Sequence, residues 1–184
     1  MSGRPLVRYG EEIKMSEANG VSAIPTKILV PIDFSPSSHT ALATAVELAE
    51  RFHAELFLLN VVAGLPAVTL PESVCEQTIV EAAKKEAETH FAVSQAALDA
   101  KGIKATTLVV VDNDVAGNIL EAVEREKIDL VVLSTHGVSG WYPVVFGSIA
   151  EKVVKLVHTP LLLLRTEKPE TSVKIPSGRL MEWW

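Results

Sequence analysis

The 184-residue sequence has one cysteine, no cluster of basic residues and no long apolar run. A lone Cys75 closes no intrachain disulfide and supplies no multi-thiolate zinc cluster, which fits a reducing compartment. Its place near a helix start leaves a reactive thiolate or an inert, buried thiol open. Seventeen Lys and Arg stand against 23 Asp and Glu, a formal net charge of −6. Neutralising phosphates on a polymer needs clustered cations, so nucleic acid and anionic membrane surfaces are excluded as partners. No window approaches the ~20 apolar residues that cross a bilayer, and residues 1–25 lack the apolar core of about 7 to 15 residues of an export signal. A cytoplasmic protein is expected. His39, His53, His90 and His158 are scattered without metal-ligand spacing, so no dedicated zinc site is expected. Neither a phosphate-binding loop ending in Gly-Lys-Ser/Thr nor a Ser/His/Asp constellation is present, so a non-enzymatic role is expected.

What the chain does have is apolar bulk, with 48% hydrophobic and 22% charged residues. That balance suits a sheet buried on both faces. Residues 1–25 and 167–184 show no sustained period and read as tails around one domain at 26–166. Within the domain, short β-branched or leucine-rich runs alternate with helical patterns. Lys27 to Asp33 is a strand, and Ser35-Pro36 offers an N-cap and a proline at the first helical position. Ala41, Ala45, Leu48 and Ala49 give that helix an apolar face to about Phe52. Leu56 to Val62 is a second strand. A long helix spans about Glu72 to Ala100 and closes at Gly102. Ala105 to Val111 is a third strand, Asp112-Asn113-Asp114 caps a helix carrying Ile119, Leu120 and Val123, and Asp129 to Leu133 is a fourth strand. Residues 134–147 are loop-like, Ser148 to Val157 is helical, and residues 160–164 form a fifth strand. This alternation predicts an α/β fold, an open five-stranded parallel sheet with helices on both faces. Ligands of such sheets sit beyond the carboxyl ends of the strands, which points to the ends of strands one, two and four.

Asp33 closes the first strand, where a carboxylate either accepts hydrogen bonds from a sugar diol or joins Ser35 in capping the helix. After the fourth strand, Gly137, Gly140 and Gly147-Ser148 punctuate the loop. Such glycines either let the backbone approach an anion at the next helix N-terminus or serve an ordinary turn. Together, Val30-Pro31-Ile32-Asp33 and Ser134-Thr135-His136-Gly137, followed after nine residues by Gly147-Ser148, resemble the universal stress protein family, in its ATP-binding branch. The resemblance runs from about Lys27 to Arg165. It departs from the family's motif at Ser134, where the motif has its first glycine, and a Cβ there is strained if φ is positive.

The resemblance implies a Rossmann-like domain, usually a homodimer joined through its last strand, with ATP in the crevice and magnesium or manganese accompanying it. It implies that Pro31 shapes the adenine pocket, Val61 contacts adenine through its backbone, Asp33 meets the ribose, and Gly137, Gly147 and Ser148 hold the phosphates. His136 in the same loop is either a phosphate donor or phosphorylation site, or a residue ordering the loop. Trp141 to Phe146 reads as a lid, a docking surface for a protein partner or a plug, and Leu180 to Trp184 is equally open. The function expected is a stress-response regulator that binds an adenine nucleotide and signals through dimer or partner contacts. The alternatives are a dimeric scaffold that binds no nucleotide and, further off, an enzyme that transfers adenylyl groups or slowly hydrolyses ATP.

Overall fold

The computed structural model describes residues 24–64, 76–135 and 147–165. Five strands and four helices alternate: β1 (Lys27–Pro31), α1 (Pro36–Phe52), β2 (Glu55–Val62), α2 (Glu76–Ala100), β3 (Ala105–Val111), α3 (Val115–Glu126), β4 (Leu130–Ser134), α4 (Ser148–Leu156) and β5 (Leu161–Leu164). The strands form one parallel sheet in the order β3-β2-β1-β4-β5. Strand β1 is central because the chain winds outward from it in one direction through β2 and β3, then returns to its other side for β4 and β5. The strand order therefore reverses between β1 and β4, which opens a crevice at their carboxyl ends.

Both faces of the sheet are buried, as the continuous apolar runs require. On one face Ile28, Val30, Leu56, Leu58 and Val132 pack beneath α1 and α2. Helix α1 approaches closely because Ala41, Ala45 and Ala49, one turn apart, are its buried face. On the other face Leu29, Phe57, Leu59, Val131 and Leu133 pack beneath α3 and α4. Ile119 and Val153 are fully buried there, and burying each such side chain is worth about 1.5–3 kcal/mol.

The strands also carry their own clamp at the amino-terminal edge. The Asp129 carboxylate accepts from the backbone N–H of Thr26 and of Lys27 and from the Thr26 hydroxyl, at 2.6–3.0 Å. It ties the start of β1 to the start of β4. Among the described residues no helix is long and apolar enough to cross a membrane.

Candidate functional site

At the carboxyl ends of β1, β2 and β4 the sheet opens into a cavity of about 260 Å³. Leu59, Val61, Val115, Ile119 and Leu133 make its apolar wall, and Asp33, Ser38, Ser134, Thr135 and Ser148 its polar rim. Asp33 is the only charged side chain among the described lining residues. An apolar floor with a few convergent polar groups is the form of a small-molecule pocket.

Asp33 reaches this rim because β1 stops early. Ile32 donates the last ladder bond to the Leu59 carbonyl, at 2.8 Å. The carbonyl of Ile32 then accepts from the side-chain amide of Asn60, at 2.7 Å, instead of from strand backbone. Phe34 takes a left-handed conformation (φ 59°), and its ring packs on Phe91 and His90 of α2. The chain thus turns sharply at residue 34, with Asp33 on the cavity and Phe34 against α2. Ser35 follows in extended conformation as the N-cap of α1, and its hydroxyl accepts from the Ser38 N–H.

The opposite rim is the start of α4. Gly147 is its N-cap residue and has no side chain to cap it with, and Gly147, Ser148, Ile149 and Ala150 all line the cavity. A helix start of this kind presents backbone N–H groups and a partial positive charge to an anion. Helix α1 differs, since Ser35 already occupies one of its first-turn amides. Gly147 has φ −57°, so its role is not backbone freedom. Its N–H donates to the Thr135 carbonyl at 2.9 Å, and a Cβ would stand 3.2 Å from that same oxygen. Glycine eases this close approach, and a side chain there is tight against the carbonyl.

Of the residues singled out by sequence, Pro31, Asp33, Val61, Ser134, Gly147 and Ser148 converge on this one cavity. His136, Gly137, Gly140 and the aromatic segment 141–146 lie outside the described residues, as do Cys75, residues 1–23 and the C-terminal tail. Ser134 is not loop, as expected from the sequence, but the last residue of β4, paired in register with Leu164. It is absent from the residues with positive φ, so its Cβ carries no backbone strain. Ser38 and Thr135 are both buried on the rim; the sequence motif contains Thr135 without a role for it, and neither Ser38 nor Asn60, a single polar residue inside an apolar run, is marked by it. At the end of β3, the Asp112 carboxyl is held below its ordinary range, chiefly by the backbone N–H of Asp114. Among the described residues no three His, Cys, Asp or Glu side chains gather to hold a metal.

Comparison with known proteins places this geometry. The sequence profile of the universal stress protein family matches residues 25–165. A universal stress protein of Methanocaldococcus jannaschii is 33% identical over 144 residues, covering 78% of this chain and 84% of that protein. Among solved structures, universal stress protein UspA from Lactobacillus plantarum is similar at 25% identity and TM-score 0.69, over 78% of this chain and all of the other. A universal stress protein solved in complex with cAMP shares the fold at 20% identity and TM-score 0.53, over 79% of this chain and 100% of that one.

Proposed function

The chain belongs to the universal stress protein family, and on that premise we propose that it is an ATP-binding regulator. The adenine lies on the apolar wall beside Pro31 and Val61, Asp33 meets the ribose, and the phosphates sit at the start of α4 on Gly147 and Ser148. The observation that carries this reading is the pairing, across one cavity, of a carboxylate, the one charged side chain among the described lining residues, with a helix start whose N-cap is a glycine. A carboxylate suits sugar hydroxyls and repels phosphate, whereas backbone N–H groups suit phosphate. The two rims thus orient a nucleotide in one direction only. A neighbour of the same fold holds cAMP, which makes an adenine nucleotide the first ligand to test.

No Lys, Arg or His lines the described cavity, so phosphate charge is met by amides, by the hydroxyls of Ser134, Thr135 and Ser148, and by magnesium or manganese that enters with the nucleotide. Ser134 replaces a motif glycine, yet its extended backbone accepts a side chain and adds a hydroxyl to the rim. That favours nucleotide binding over a scaffold without ligand. Signalling runs through a homodimer joined along β5, or through a protein partner, with no turnover required. We assign the nucleotide unit to residues 26–166 and the role to the cytoplasm.

The test is direct. Purified protein is denatured, and the supernatant is separated by anion exchange for co-purified adenine nucleotide. ATP is then titrated into the wild type, Asp33→Ala and Gly147→Val. At about 100 times its dissociation constant, ATP is expected to stabilise the wild type by ~2.7 kcal/mol. Asp33→Ala is expected to weaken binding about tenfold or more, the worth of a hydrogen bond to a charged group. Gly147→Val is expected to weaken it further by driving a side chain at the Thr135 carbonyl. Absence of both co-purified nucleotide and ATP-induced stabilisation overturns the reading in favour of a scaffold.

A further inference from the structure

We propose that Ser35 is a positioning residue for nucleotide recognition, acting through Asp33 rather than on the ligand. This rests on the nucleotide reading above. Both hydrogen-bond donors of Ser35 converge on one carboxylate oxygen: its backbone N–H donates to Oδ1 of Asp33 at 3.0 Å and its hydroxyl donates to the same oxygen at 2.5 Å.

A hydroxyl has one proton and two lone pairs. The Ser35 hydroxyl proton is committed to its hydrogen bond with Asp33 Oδ1. One lone pair accepts from the Ser38 N–H at 3.2 Å, and the Ser37 hydroxyl lies 2.8 Å away, where it must be the donor because the Ser35 proton is already placed. The hydroxyl is therefore saturated within the protein, and Ser35 is 6% exposed. It contributes nothing directly to a ligand. What it does is fix the Asp33 carboxylate to the start of α1, so that the carboxylate cannot rotate away from the cavity it lines.

The backbone on either side is held independently. Asn60 anchors the Ile32 carbonyl before the turn. After it, Phe34 is kept in a left-handed conformation, costly for a bulky residue, by its packing on Phe91 and His90. With the main chain fixed on both sides, the remaining freedom of Asp33 is its side-chain torsions. Ser35 restricts that freedom through Oδ1, supplying in advance part of the ordering that binding otherwise requires.

The experiment titrates ATP and 2′,3′-dideoxy-ATP, which lacks the sugar hydroxyls, into the full chain and into Ser35→Ala, Ser35→Thr and Asp33→Ala. The wild type is expected to prefer ATP by about tenfold to a hundredfold. Ser35→Ala is expected to shrink that preference toward the value for Asp33→Ala, and Ser35→Thr, which keeps the hydroxyl, to restore it. In an Asp33→Ala background, Ser35→Ala is expected to change the preference no further. Ser35→Gly repeats the test without the hydroxyl at a position where glycine is accepted as an N-cap, should the alanine variant fail to fold. A residue that only caps α1 lowers the melting temperature and weakens both nucleotides alike. An unchanged preference in Ser35→Ala and Ser35→Gly therefore overturns the proposal while leaving the nucleotide reading intact. Equal wild-type affinity for the two nucleotides overturns it too, because Asp33 then does not meet the sugar. Binding of neither nucleotide by the wild type removes the nucleotide reading itself, and this proposal with it.

Discussion

Ser134 stands where two opposite expectations meet. As a departure from a glycine motif it suggests a damaged site, yet its backbone is the regular end of β4 and pairs with Leu164. Replacing it with glycine is therefore expected to destabilise the fold by roughly 0.5–1 kcal/mol, the entropic cost of glycine in a strand. In a chain of this size that is a fall of about 1–4 °C in Tm, read by thermal denaturation. A higher Tm for Ser134→Gly contradicts the assignment, since it indicates relief of strain. Asp33 and Gly147 were legible from sequence because a strand-end acid and a Gly-Ser before a helix are local signals. The reason for Gly147 was not legible: it is the Thr135 carbonyl 3.2 Å from a would-be Cβ, a contact between residues twelve positions apart. Asn60 was hidden for a similar reason, since its partner is the carbonyl of a residue 28 positions away.

At the scale of elements, order and type were readable because each strand is a short apolar run and most helices open or close on a recognisable residue. Ser35-Pro36 opens α1, Asp114 caps α3 through the Gly117 N–H, and Gly102 follows α2 with φ 71°. Boundaries shifted where tertiary pairing decided them. The first strand was read to Asp33 but ends at Pro31, because Asn60 takes over from the ladder at Ile32. From sequence the fourth strand starts at Asp129, one residue before Leu130; that residue still donates its N–H to the Lys27 carbonyl, while its carboxylate makes the clamp to Thr26 and Lys27. Asp129→Ala is expected to cost about 1–3 kcal/mol in a urea titration, because it removes charge-assisted bonds that hold β1 to β4. Asp129→Asn, which keeps an acceptor, is expected to lose less. Equal stability of all three proteins contradicts the clamp.

For the whole molecule, the sheet order explains why residues far apart in sequence share one cavity. Winding outward from β1 in both directions leaves the ends of β1 and β4 without a crossover above them, and Asp33 and Ser148 meet there across more than a hundred residues. The same winding leaves β5 at an edge. Val131 donates to the Pro160 carbonyl and Thr135 to the Leu164 carbonyl, so residues 160, 162 and 164 turn their backbone groups toward β4 and residues 161 and 163 turn theirs outward. Among the described residues no strand pairs with that edge, which carries only leucines, a surface that invites another chain. Leu163→Pro removes an outward N–H without touching the β4 ladder, and is expected to convert a dimer of twice the chain mass to monomer in sedimentation equilibrium. A wild type that sediments as monomer contradicts the dimer. The central claim is that phosphate oxygens sit on the start of α4 while the sugar faces Asp33. An amide-resolved NMR titration of the full chain with ATP tests it most directly. The account predicts saturable shifts largest at the first-turn backbone N–H groups of Ser148, Ile149 and Ala150, with shifts at Asp33 that disappear on titration with inorganic triphosphate. Unmoved amides at the start of α4 in the presence of excess ATP contradict it.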